Sequence, residues 1–203
     1  WVWKTWLGAG GAGTYRCQPE KSRQVDDYPT FNLFVRKKDF EEIGGFNSDF
    51  WPGEDTKLCQ DIVYKLNKKI IYQPEIKVYH HRRKIFIPHL KQISRYGFQR
   101  GLFARILPKT SNRIGYWIPS LFLIGLITGP IFYFIYPPLF TFYTLILLLY
   151  SFLICLSFLN VLIKSKNLLI AFLLIPSILT THIIYGIKFL QGYFLEPLKL
   201  NTT

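Results

Sequence analysis

Three small groups of residues in this chain have the types and spacing for chemistry. Glu54 and Asp55 follow Pro52-Gly53 and open a helical pattern. His80 ends a short apolar run and precedes His81-Arg82-Arg83. Gln92, Arg95, Tyr96, Gly97, Arg100 and Gly101 lie in a basic stretch just downstream. A carboxylate at a helix N-terminus is kept ionised by the helix dipole and can take the proton from a hydroxyl as a new bond forms to its oxygen. The same acids also steady the helix, by a few tenths to ~1 kcal/mol, and the two roles are compatible. An imidazole at a strand end can join carboxylates and a diphosphate around Mg2+ or Mn2+, or can be structural. An arginine fork matches a diphosphate and stabilises charge growing on a leaving group, while a basic helix also suits a membrane interface. Tyr96 can stack on a ring or anchor at headgroup level, and Trp51 and Phe50 can line a site or pack their own loop.

These groups need elements to hold them. Pro29 to Arg36 alternates weakly and predicts a strand. Lys37 to Ile43 predicts a short helix closed by Gly44-Gly45. After the aromatic loop Phe46 to Trp51, Leu58, Cys59, Ile62, Val63 and Leu66 recur at helical spacing, which predicts a helix from Glu54 or Asp55 to about Leu66. Lys69 to Tyr72 and Ile76 to Tyr79 read as short strands either side of Pro74. From Pro88 an amphipathic helix is expected, with Leu90, Ile93, Gly97, Phe103 and Ile106 near one side and Lys91, Arg95, Gln99 and Arg105 largely elsewhere, suited to the interface plane of a membrane. The loop Gly8 to Gly13 lacks the Lys-Ser/Thr of a phosphate loop and reads as a linker.

Three long apolar runs follow, at about 116–136, 138–161 and 168–190, each beyond the ~18 residues that argue for a transmembrane helix. The chain of 203 residues is half hydrophobic and carries a formal net charge of +13, with no acid between Glu75 and Glu196. A basic stretch next to apolar spans suits anionic lipid or a pyrophosphate, and the spans argue against nucleic acid as the partner. Lys109 and Arg113 before the first run, and Lys164 and Lys166 after the second, put those sides in the cytosol by the positive-inside rule. The soluble part is then cytosolic, and the Pro137-Pro138 turn and the C-terminus face outward. The three cysteines, Cys17, Cys59 and Cys155, form no disulfide framework, which fits reduced thiols. His182 in the third run reads as a group that hydrogen-bonds between helices.

The order Asn32-Leu33, Arg36, Phe40, Gly44-Gly45-Phe46, Gly53-Glu54-Asp55, Leu58, Tyr72, Pro74 and Val78-Tyr79-His80 resembles the C-terminal half of family 2 glycosyltransferases of GT-A fold. Gln92-x-x-Arg95-Tyr96 is similar to the Q-x-x-R-W motif of processive, membrane-embedded members, with Tyr96 in place of the Trp, so processivity does not follow. The resemblance covers about residues 15–115. It implies an α/β region, the C-terminal part of a Rossmann-like GT-A catalytic domain over 1–115, followed by an all-α membrane domain of three helices over 116–203. It implies an inverting, hexosyl-type transfer from a nucleotide-sugar to a lipid-linked or cell-surface glycan acceptor at the cytosolic membrane face, as in polysaccharide biosynthesis. Asp55 would be the catalytic base, His80 the ligand of Mg2+ or Mn2+, and Glu54, Gly45 and Trp51 would face the acceptor. Gln92, Arg95 and Tyr96 would contact the donor diphosphate.

The chain contains no Asp-x-Asp, since Asp26-Asp27 lacks the intervening residue. The nucleotide-binding half is therefore expected outside this sequence, and this polypeptide alone is expected to be inactive. The rival reading is a non-catalytic module that anchors to the membrane or docks a partner. It accounts for the charge and the spans but not for Gly-Gly-Phe, Gly-Glu-Asp and Val-Tyr-His at these spacings. A transporter is disfavoured because the runs hold no paired ionisable residues.

Overall fold

The structure is a computed structural model, and it describes residues 1, 2, 5, 7, 21–79 and 83–194. Two strands, β1 (Arg23–Val25) and β2 (Ile70–Tyr72), pair antiparallel in the register Arg23 to Tyr72, Gln24 to Ile71 and Val25 to Ile70. The helices are α1 (Lys37–Glu42), α2 (Glu54–Tyr64), α3 (Ile87–Ile106), α4 (Pro108–Ser111), α5 (Ile114–Thr128), α6 (Phe132–Ile135), α7 (Pro137–Ser165) and α8 (Leu168–Phe194). The α/β region implied by the resemblance is represented here by α1, α2 and a small sheet, and the three long apolar helices follow it. Among the described residues the chain is mostly helical, and the sheet has only two short strands.

The differences have local causes. Pro29 to Arg36 forms a 3-10 turn at Thr30–Asn32 and then continues without strand pairing. Ile76 to Tyr79 is likewise unpaired, although the Asn32 side-chain amide donates to the Ile76 carbonyl at 3.2 Å. Alternation alone does not make a strand; a neighbouring backbone must complete its hydrogen bonds. By contrast, α1 and α2 form where their periodicity predicts them. Gly44 and Gly45 close α1 at φ of +80° and +76°, a region that side chains rarely enter.

Helix α3 is clasped between two partners. One side packs along the second half of α8. A Cβ on Gly101 would lie 1.9 Å from the Phe189 carbonyl oxygen, and a Cβ on Gly192 would lie 1.9 Å from that of Phe98. Only glycine lets two backbones come this close. His89, buried in the same contact, shares a 2.9 Å hydrogen bond with the Thr181 hydroxyl. The other side carries Phe103 and Gln99 against the turn before α2. Gln99, placed among the solvent-facing polar residues by its period, is buried and its amide donates to the Phe50 carbonyl at 3.3 Å. A polar side chain buried in this way is stable because its amide is satisfied.

The apolar helices extend this clasp. Three stretches among the described residues, Ile114–Ile135, Pro137–Ser165 and Leu168–Phe194, are long and apolar enough to cross a membrane. At 1.5 Å per residue the shortest, 22 residues, spans about 33 Å against a hydrocarbon core of ~30 Å. Their outward faces expose Phe134, Leu148, Ile163 and Leu169, as lipid contact requires. The first turns of α5 meet the last turns of α8: Trp117 packs edge-on against Phe189 and Tyr193, and the Ser120 hydroxyl donates to the Gly186 carbonyl at 3.2 Å. The end of α7 meets the start of α8 through Val161, Ala171 and Leu174. Tyr150 and His182 hydrogen-bond at 2.9 Å between α7 and α8, the interhelical role expected for His182. The last turns of α8 thus lie against both α3 and the start of α5.

Candidate active site

The site is built at the N-terminus of α2. Gly53 precedes it and is buried beneath α3; a Cβ there would lie 2.3 Å from the Phe103 ring. Phe50, in the 3-10 turn Ser48–Phe50, stacks at a tilt on Phe103 with centroids 5.9 Å apart. This separates Phe50 from Trp51. Phe50 packs, while Trp51 remains 64% exposed and lines the cleft.

A cleft of about 470 Å³ opens in front of α2. Trp51, Glu54 and Asp55 form one side, and Gln92, Arg95 and Tyr96 of α3 form the other, with Arg83 and Lys91 adding positive charge. Residues some 40 positions apart in sequence are thus gathered on one cavity. The Gln92 amide donates to the Tyr96 hydroxyl at 2.9 Å, one turn along α3, and so steadies that ring. Glu54 Oε2 is buried and has no hydrogen-bond partner among the described residues.

Among the described residues, one oxygen of Asp55 is held by a backbone donor. Its Oδ1 accepts the Thr56 backbone N–H at 2.8 Å. Burial raises its pKa above the ordinary carboxylate value, the negative charge of Asp27 adds to this, and the Thr56 N–H and Arg100 oppose it. A carboxylate of raised proton affinity is a better base, provided it is still ionised when it acts.

Behind Asp55 lies a buried ion pair. Asp27 is 4% exposed; one oxygen accepts the Thr56 hydroxyl at 3.0 Å and the other meets Arg100 Nη2 at 2.5 Å. Arg100 also donates to the Ser111 hydroxyl at 3.3 Å and lies 5.0 Å from the centre of the Tyr116 ring. The neighbouring Asp26 pairs with Arg113 and accepts the Tyr64 hydroxyl. In the sequence Arg100 stands out only as part of the basic stretch 92–101, and Asp27 does not stand out as a site residue. The structure sets Arg100 behind the carboxylate and makes Asp27 its partner. The available signal was the charge pattern: an Asp pair upstream of an α3 that carries no acid at all.

Gly45 does not line the cleft; it lies at the end of α1, where a Cβ would press on the Phe40 ring at 3.2 Å. His80, the expected metal ligand, lies outside the described residues, as do Cys17 and the Gly8 to Gly13 loop. Among the described residues no group of three His, Cys, Asp or Glu side chains is placed to hold a metal ion.

The family model described as glycosyl transferase family group 2 matches residues 15–185. No curated protein and no solved structure matches the chain.

Proposed function

Because this chain belongs to glycosyl transferase family group 2, we propose that Asp55 is the base of an inverting sugar transfer carried out in the cleft between α2 and α3. The observation that carries the reading is the convergence there of Trp51, Glu54 and Asp55 with Gln92, Arg95 and Tyr96. The donor is a nucleotide-sugar, and the acceptor is a lipid-linked or cell-surface glycan reached at the cytosolic membrane face. The catalytic layer is the C-terminal part of a GT-A domain.

The chemistry follows from the groups present. An acceptor hydroxyl rests against Trp51 and Glu54 and gives its proton to the free oxygen of Asp55. The hydroxyl oxygen attacks the anomeric carbon from the face opposite the nucleotide, so the configuration inverts as the bond to the diphosphate oxygen breaks. Arg95 takes up the charge on the departing diphosphate, with Gln92 and Tyr96 shaping the wall beside it. Gly45 supports the acceptor side through the turn it closes rather than by lining the cleft. A divalent cation, Mg2+ or Mn2+, with His80 as a ligand, belongs to the same proposal, but no step above runs through it.

The rival reading, a non-catalytic anchoring or docking module, draws on the absence of Asp-x-Asp from this sequence. It leaves unexplained why a half-buried carboxylate with a raised pKa faces an arginine across a cleft. A panel of nucleotide-sugars tested with the intact protein, which carries the nucleotide-binding half this reading requires, as wild type and as Asp55→Asn, separates the two. Turnover that disappears in Asp55→Asn supports the transferase, and no turnover with any donor supports the module.

A further inference from the structure

We propose that Asp27 and Arg100 are positioning residues, which hold the Asp55 carboxylate through Thr56 and set the electric field in which it exchanges its proton. This rests on the reading of Asp55 as the base but makes a separate claim about its surroundings.

The geometry forms a continuous chain of contacts. Arg100 Nη2 meets one oxygen of Asp27 at 2.5 Å, and the other oxygen accepts the Thr56 hydroxyl at 3.0 Å. The Thr56 backbone N–H in turn holds Asp55 Oδ1 at 2.8 Å. Thr56 thus binds a structural acid through its hydroxyl and the candidate catalytic acid through its N–H. It fixes which oxygen of Asp55 is occupied.

Arg100 is itself well anchored. It is bound to Ser111 of α4 and lies near the Tyr116 ring at the start of α5, and the next residue, Gly101, is pressed against the α8 backbone. Apolar helices on one side therefore fix a cation whose partner lies on the other side, under the catalytic turn. A buried ion pair of this sort contributes little net stability, because desolvation offsets the attraction, so its presence beneath a cleft points to a positioning role.

The charges around Asp55 come from several elements. Glu54 lies beside it on α2, Asp27 after β1 and Arg100 on α3, while Arg83, Lys91 and Arg95 line the cleft in front. Asp26 is engaged by Arg113. Asp27 disfavours the ionised form of Asp55 and Arg100 favours it, so the two act in opposite directions on the same group.

The test is carbon-13 NMR titration of aspartate carboxyl groups in the chain held in lipid nanodiscs, with the Asp55 resonance assigned by its loss in Asp55→Asn. In Asp27→Asn the Asp55 midpoint is expected to move to lower pH, and in Arg100→Gln to higher pH. Arg100→Lys, which keeps the cation, is expected to stay near the wild-type midpoint. Shifts of opposite sign support the proposal; no shift, or shifts of the same sign, overturn it. Should Asp27→Asn fail to fold, Arg100→Gln against Arg100→Lys carries the test alone. The readout does not depend on turnover. An active Asp55→Asn enzyme would remove the base assignment while leaving the titration result standing.

Discussion

Gly53 and Phe103 are so close that a Cβ on the glycine would lie 2.3 Å from the ring. This contact seats the turn before α2 on α3, and with it sets the width of the cleft between Asp55 and Arg95. Phe103 cannot easily yield, because it is buried and also packs on Phe50. Gly53→Ala is therefore expected to push α2 away, destabilising the fold by about 1–3 kcal/mol as overpacked cores do. Turnover should fall more than tenfold, since misplacing a reacting group by about 1 Å can cost 10²-fold. Thermal unfolding and steady-state kinetics of the variant check both parts.

The clasp between α3 and α8 makes a second prediction. Gly101→Ala would set a methyl group 1.9 Å from the Phe189 carbonyl oxygen, so the backbones must separate. The neighbour is backbone, which cannot rotate aside. The unfolding midpoint in detergent should fall, with a cost on the order of 1–3 kcal/mol. Gly125→Ala is the control, because nothing lies within 4 Å of its would-be Cβ; its midpoint should be unchanged.

Asp55 should reduce stability at neutral pH. Its folded pKa is raised, so the folded state holds the proton more tightly than the unfolded chain does. Stability from this group is fully present below the unfolded carboxylate pKa and is lost as pH rises through the folded value. Asp55→Asn removes that loss and keeps an acceptor for the Thr56 N–H. Its unfolding midpoint is expected to equal or exceed that of the wild type at neutral pH, with the difference vanishing on acidification below the ordinary carboxylate range. Unfolding scans across pH measure this, and a midpoint that drops at neutral pH would contradict it.

Two cleft residues should separate acceptor from donor. Trp51 is largely exposed and contributes little to packing, so Trp51→Ala is expected to raise the KM for acceptor with the fold intact. Arg95→Ala should mainly lower kcat, by about 10²–10³, as expected when a group that stabilises transition-state charge is removed. The same pair of variants with the opposite pattern would exchange the two sides of the cleft.

Much of this arrangement is legible in the sequence because it is local. The period of Leu58, Cys59 and Ile62 marks α2, Gly44-Gly45 marks the end of α1, and three long apolar runs mark the long helices. What could not be read is what lies across from what. Asp27 and Arg100 are brought together only by the fold, and no period or motif links them. Pro29 to Arg36 alternates like a strand, but whether it pairs depends on a neighbouring backbone that alternation does not reveal. Gln99 appears polar and outward by its own helix, yet the Phe50 carbonyl lies where its amide can reach it. The α3 and α8 clasp did leave a trace, in Gly97-x-x-x-Gly101, a small-residue spacing that allows close helix packing.

The most direct test of the account is the turnover of a nucleotide-sugar by Asp55→Asn in the intact protein, measured beside the wild type with unfolding midpoints recorded for both. Loss of the general base predicts a fall in kcat of roughly 10²–10⁴ with an undiminished midpoint. An Asp55→Asn protein that turns over at the wild-type rate would contradict the claim that this carboxylate accepts the proton.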